Sequence, residues 1–398
     1  MKNKKLMILG ASILQVPAIK KAKEMGIEVV VLDMNEQAIG FNYADKSLVI
    51  STIDIEKVVK AAEQEKIDGI MTLASDMPMR SVAAVCKQLG LIGIDEQTAI
   101  NATNKAQMRE CLKAHGVPVP KFYIVSNEQE YKSATKNFTD KFIVKPADNS
   151  GSRGVFLVQD LLDEQLVNEA YLYSKQYSRS GEVVVEEFMR GEEVSVETIS
   201  IDGECHVIQI TDKLTTGAPY FVEMGHSQPT KHDQSTVQKI KQVAKSAVNA
   251  IGIKNGPSHT EIIITEEGPK IVELGARLGG DCITTHLVPL STGVDLVESC
   301  ILIALGVKPD LQKKFDMASA IRYIPSHKGL LKSVLNIDSA MRVDGVKEVQ
   351  IVKSVGEQLT EINSSTSRLG FVIAQSQTAG QAIEVCQRAI GKIKIEIE

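Results

Sequence analysis

Two glutamates in the facing arms of one apolar hairpin constrain this chain more than any other feature of its sequence. The stretch GPSHTEIIITEEGPKIVELGARLGGD, residues 256–281, predicts a strand over 259–265, a turn at Glu-Glu-Gly-Pro and a second strand over 270–274. Antiparallel pairing from that turn sets Glu261 nearly opposite Glu273, within one residue of register. Cross-strand neighbours have Cβ atoms ~4.5–5.5 Å apart, and like charges there repel. Two acids among Ile262, Ile263, Ile264, Ile271 and Val272 therefore ask either for solvent or for a cation. Magnesium is typically held by one or two protein carboxylates, with phosphates and water completing the shell. The hairpin alone leaves both readings open, and Arg277 with the Gly279–Gly280 pair adds an anion-binding character downstream.

At 398 residues the chain has room for two or three domains, each with its own core. A composition 43% hydrophobic and 24% charged is that of a globular protein. A net charge of −5 without a long basic run argues against nucleic acid as a main partner. The six cysteines are scattered with no CxxC pair, which fits neither a disulfide framework nor a zinc site and suits a reducing, cytoplasmic setting. The N-terminal run LMILGASIL is short and gives way at once to a charged helix, so it reads as a first strand and not as a targeting segment. No apolar run is long enough to span a membrane.

Residues 1–100 alternate strand and helix, which predicts a doubly wound parallel sheet in an α/β fold. The first turn, GASILQ, lacks two glycines of the dinucleotide fingerprint, with Ser12 and Gln15 in their places, although Asp33 stands where a ribose-binding acid would. Asp76 follows a strand at the edge of the sheet where ligands bind in such folds, and equally could cap the next helix.

Lys105 opens a predicted helix over 105–115, where the helix dipole disfavours a cation; a phosphate partner would account for it, as would an ordinary surface position. Lys145 follows the apolar strand 142–144, and lysine is rarely buried without a partner. The turn Asn149–Gly154 is rich in small residues whose N–H groups can form an anion nest or simply a hairpin tip. Glu186, Glu187, Glu192 and Glu193 lie in a connection between strands that could offer backbone groups and carboxylates to a purine and a ribose. Residues 209–229, with Lys213, Glu223 and His226, show little periodicity and read as a loop over a pocket. Residues 316–398 read as a small α+β unit.

Lys105, VKP with its Gly/Ser turn, VEEFMRGEE, HTE and VELGARLGG, in this order behind a doubly wound N-terminal domain, resemble the ATP-grasp superfamily of carboxylate–amine ligases. The C-terminal GVKEV and SSTSRLGFVIA look most like its L-amino acid (dipeptide) ligase, carbamoyl phosphate synthetase and glycinamide ribonucleotide synthetase branch. The resemblance implies a Rossmann-like pre-ATP-grasp domain over 1–100, an ATP-grasp domain over 101–310 with a mobile lid at about 116–188, and a C-terminal α+β subdomain over 311–398. It implies ATP with Mg²⁺, or Mn²⁺ in its place. Lys105 and Lys145 would contact the phosphates, and the turn with Ser150, Gly151, Ser152 and Gly154 would fold over them. Glu186, Glu187 and the backbone of Phe188 and Met189 would hold adenine, and Glu193 the ribose. Glu261 and Glu273 would bind the metal, and Arg277 would steady the transferred phosphoryl group. Gly275 departs from the family, which often has a metal-binding Asn there. Substrate residues are expected among Asp76, Lys213, His226, Arg277, Gly280 and Asp281.

The implied reaction activates a small-molecule carboxylate as an acyl phosphate and joins it to an amine, releasing ADP and phosphate. Alternatives are a carboxylase, a carbamoyl-phosphate-synthetase-like or glycinamide-ribonucleotide-synthetase-like enzyme, a non-catalytic nucleotide-binding protein, or an NAD-dependent oxidoreductase using the N-terminal sheet. The resemblance further suggests a homodimer.

Overall fold

The computed structural model of the chain describes residues 3–149, 151, 153–218 and 220–398. It opens with four parallel strands ordered Lys46–Val49, Glu28–Asp33, Lys5–Leu9 and Gly69–Thr72. Leu6, Met7, Ile8, Leu9 and Val29 to Leu32 are wholly buried, because helices cover both faces and a parallel sheet so covered needs apolar residues in succession. The covering helices include Val16–Glu24, Ile55–Glu65 and Met79–Leu89.

A second, four-stranded antiparallel sheet pairs Phe122–Val125 with Val183–Glu187, then Phe142–Pro146, then Phe156–Val158. It has its own core around Tyr131, Phe138, Phe142 and Tyr171. Helix Lys105–Ala114 lies between this sheet and the rest, entered through Asn104, whose side chain accepts the Gln107 N–H.

The third layer is an eight-stranded antiparallel sheet. Its order is Gly268–Gly275, Gly256–Thr265, Glu192–Ile201, Glu204–Thr215, Glu223–Gln228, Ala318–Ile324, Gly370–Ser376 and Val346–Ile351. The C-terminal unit thus adds its strands to the sheet that begins with the hairpin. A three-stranded sheet and helix Ala379–Ile390 complete that unit.

One expectation is corrected. Residues 209–229 are not a loop: strands Glu204–Thr215 and Glu223–Gln228 pair in register, Lys213 opposite His226, and only 216–222 connect them. The strands escape an alternation test because several of their buried positions are polar. Gln209, Thr211, His226 and Gln228 are all buried, and Gln228 donates to Thr211 Oγ1 at 2.8 Å and accepts from Ser291 Oγ at 2.8 Å. Buried polar groups persist where they are hydrogen-bonded, so a strand can carry them without an apolar stripe.

Candidate active site

The hairpin register puts Glu261 directly opposite Glu273, with a bulge just after Glu261. Each carboxylate is held by a lysine from elsewhere in the chain. Lys105 Nζ lies 2.7 Å from Glu273 Oε1 and donates to Asn149 O at 2.7 Å. Lys213 Nζ lies 2.8 Å from Glu261 Oε1 and 2.9 Å from Glu223 Oε1, and also pairs with Glu193. Burial opposes the charge on Lys213, but these three glutamates hold its pKa well above that of an ordinary lysine. Burial likewise opposes the charge on Glu261, yet Lys213 and His259 hold its pKa well below the usual carboxylate range. Glu261 therefore stays ionised. His259 Nδ1 sits 2.7 Å from the buried Glu197; burial lowers its pKa, and Glu197 outweighs burial to raise it to about 9.

The four-stranded antiparallel sheet meets the hairpin through helix Lys105–Ala114. Four residues beyond Lys105, on the same helix face, Arg109 is 1% exposed. Its Nε donates to Glu186 Oε1 at 2.5 Å and its Nη2 to Val272 O at 2.6 Å. Lys145 Nζ reaches the other oxygen of Glu186 at 2.7 Å. Burial, then the neighbouring Arg109 and Lys105, push Lys145 down to about 8 against the attraction of Glu186. Against burial, Arg109 and Lys145 hold Glu186 down at about 2. The carboxylate of Glu186 is therefore engaged by two cations, and the Phe188 N–H donates to Lys141 O at 3.2 Å. Glu187 pairs with Lys270 at 2.8 Å, and Met189 is partly exposed beyond the strand end. Gly151 is exposed and Gly154 buried, while Ser150 and Ser152 lie outside the described residues.

Arg277 leaves the second hairpin strand and meets the N-terminal sheet. Its Nε lies 2.8 Å from Asp76 Oδ1, and Nη2 reaches the other oxygen at 3.3 Å. Burial opposes its charge, but Asp76, then Glu273 and Glu261, raise its pKa further. This pair also bears on Gly275: a Cβ there would come within 2.7 Å of Asp76 Oδ1, so a side chain at this position would displace the carboxylate that orients Arg277. Gly280 packs near Ala74, 3.8 Å from a Cβ built on the glycine. Asp281 is gripped by Arg368, with Nη1 to Oδ2 at 2.7 Å and Nη2 to Oδ1 at 2.9 Å. His226 is fully buried 3.6 Å from Asp281, and neither of its ring nitrogens has a hydrogen-bond partner among the described residues.

Asp33 is far less available than its spacing implied. Its two oxygens accept the N–H groups of Ala11 at 2.8 Å and Asn35 at 2.9 Å. Of the residues that matter here, Arg109 and Glu197 were not singled out by the sequence, Glu223 was named only within the 209–229 segment, and Arg368 only as part of SSTSRLGFVIA; Arg109 left a signal in its four-residue spacing from Lys105.

Lys105 and Arg277 thus adjoin a facing pair of carboxylates, with the four-stranded antiparallel sheet joined through Arg109 and Glu186 on one side and the parallel sheet joined through Asp76 on the other. Profiles described as the ATP-grasp N-terminal domain, the ATP-grasp domain and the L-amino acid ligase C-terminal domain 2 match residues 19–92, 137–285 and 322–398 in succession. The chain belongs to the ATP-grasp superfamily. Among similar ATP-grasp sequences are the alanine–anticapsin ligase of Bacillus subtilis (strain 168), 31% identical over 57% of this chain and 52% of that one, and an L-arginine-specific L-amino acid ligase of Bacillus subtilis, 26% identical over 71% and 70%. The chain therefore spans about half the length of the first of these relatives. The crystal structure of an L-amino acid ligase from Bacillus licheniformis shares the ATP-grasp fold with a TM-score of 0.86, at 22% identity over the full length of both chains.

Proposed function

We propose that the chain is an ATP-dependent carbon–nitrogen ligase that joins the carboxylate of one amino acid to the amine of another. The observation that carries this reading is the facing of Glu261 and Glu273, each already paired with a lysine, beside Lys105, Lys145 and Arg277. Two ionised carboxylates on one sheet face fit a hard divalent cation, so Glu261 and Glu273 would hold Mg²⁺, or Mn²⁺ in its place. The ion would neutralise charge on the ATP phosphates. Lys105 and Lys145 supply further positive charge where a polyphosphate would lie. The acidic connection around Glu187 and Glu193 and the backbone near Met189 would hold the nucleoside, while Glu186, engaged by Arg109 and Lys145, aims the lysine.

The substrate carboxylate attacks the γ-phosphorus, ADP leaves, and an acyl phosphate results. Arg277, oriented by Asp76, balances the charge on the moving phosphoryl group. The amine then attacks the acyl carbon, phosphate leaves, and the amide remains. His226 and the Lys213 carboxylate cluster border the substrate end of the cleft. Residues at about 116–188 would form the lid that keeps water from the acyl phosphate. No nucleic-acid partner is part of this reading, and among the described residues no single helix is long and apolar enough to cross a membrane.

The test is ADP release with magnesium-ATP across a panel of amino acids, singly and in pairs, with Glu273→Ala as control. Turnover that needs one carboxylate and one amine, and disappears in the variant, supports the ligase. ATP binding without ADP release under any pair would sink it.

A further inference from the structure

We propose that Arg368, supplied by the C-terminal unit, is a positioning residue for Arg277: its guanidinium fork holds loop 276–282 in a shape that the loop's own residues disfavour. Asp281 and Cys282 are consecutive, and both lie in the left-handed region, at φ 50° and 63°. A Cβ makes that region unfavourable, and residues stay there when their surroundings over-determine them. Asparagine and aspartate tolerate it better than most, but cysteine has no such local help.

Most of the surroundings here come from the C-terminal unit, with the buried His226 of strand Glu223–Gln228 3.6 Å from Asp281. Arg368 binds both oxygens of Asp281, at 2.7 and 2.9 Å, in the planar two-bond geometry that fixes direction as well as distance. Its guanidinium lies 3.6 Å over the Tyr323 ring, and the Tyr323 hydroxyl donates to Asp281 O at 3.2 Å. Arg368 is itself only 9% exposed and donates from Nε to Ser365 O at 2.8 Å. Its Nη1 also donates to Glu223 O at 3.1 Å, and the Glu223 side chain helps hold Lys213 against Glu261. The loop is therefore pinned at Arg277 by Asp76 and at Asp281 by Arg368. The fork touches no residue assigned to the nucleotide; it acts through backbone that ends four residues after Arg277.

The test uses the full-length chain with Arg368→Gln. Hydrogen–deuterium exchange over 276–282 is expected to quicken about tenfold or more while strand 256–265 keeps its protection. Wherever the amino-acid panel gives turnover, kcat is expected to fall about tenfold or more with the KM for ATP within about twofold, because the loss is one of alignment and not of nucleotide binding. Adding Cys282→Gly to Arg368→Gln should restore much of the lost kcat, since glycine takes left-handed backbone without a Cβ. Unchanged exchange in Arg368→Gln, or no recovery in the double variant, overturns the proposal. If Arg368→Gln does not fold, Arg368→Lys, which keeps the charge but loses the fork, decides by the same exchange comparison. The kinetic arm rests on the ligase reading and the exchange arm does not, so a wild-type chain silent in ADP release fails that reading and still leaves the fork to be judged.

Discussion

At the edge of the N-terminal sheet, the first turn closes on itself. Gln15 Oε1 takes the Ser12 N–H at 3.1 Å, its Nε2 donates to Leu73 O at 2.5 Å, and a Cβ at Gly10 would meet Gln15 at 2.9 Å. Asp33 is consumed by two backbone amides. In the hairpin cleft, by contrast, charges are held by other charges: Lys213 is shared among three glutamates, and Glu186 between Arg109 and Lys145. A turn whose polar groups are already hydrogen-bonded within the protein has less to offer a ligand. A cluster of ion pairs has more, because a cation or a phosphate can take the place of one partner and improve the balance. The two regions look alike as nucleotide sites in sequence and differ in which polar groups remain exchangeable.

The largest effects should come from the cleft. Glu261→Ala, Glu273→Ala or a chelator is expected to lower ADP release by about 10³-fold or more, since the phosphoryl charge then has no cation between the carboxylates. Retained turnover in either variant would break the contrast at once. Next, Arg277→Met and Lys145→Ala should each lower kcat by about 10²–10³-fold, the usual loss for a preorganised charge at a reacting group. A drop in ATP affinity alone would reassign Arg277 to binding.

The pH profile sharpens the same comparison. Lys145 is pushed down to about 8, mainly by burial. It is charged below that value and neutral above it, so kcat/KM for ATP should fall as pH rises through about 8. The matching limb in kcat should lie higher, because bound phosphate favours the ammonium. Coincident limbs would mean that Lys145 never meets the phosphates. The smallest effect belongs to the N-terminal turn. Asp33→Asn loses one amide partner and should cost about 1 kcal/mol of stability, with turnover within about twofold of wild type. A large loss of activity there would return the first turn to the list of ligand sites.

The hairpin was legible because turn chemistry fixes register: Glu-Glu-Gly-Pro between two apolar runs leaves Glu261 and Glu273 little choice but to face each other. The parallel sheet was legible for the same kind of reason, through runs such as Glu28–Asp33 that are apolar on both faces. Strands Glu204–Thr215 and Glu223–Gln228 were not, because several of their inward residues are polar and satisfied one another across the sheet. Arg368 and Asp281 are 87 residues apart, and Arg277 and Asp76 are 201 apart. No local pattern announces such partners, and they become visible only when the central sheet brings the chain ends together.

That sheet also bears on how the protein can be divided. Strand Ala318–Ile324 pairs with Glu223–Gln228 along four residues, from Gly225 opposite Arg322 to Gln228 opposite Ser319. A gene cut near residue 310 would leave the flank of Glu223–Gln228 bare, with its amides and carbonyls open to any passing strand, and such unprotected edges recruit copies of themselves. The half that carries the charged cleft is therefore a poor candidate for a minimal catalytic fragment, and recombination with relatives should tolerate crossovers in 216–222 or the lid better than at the seam that sequence alone would choose.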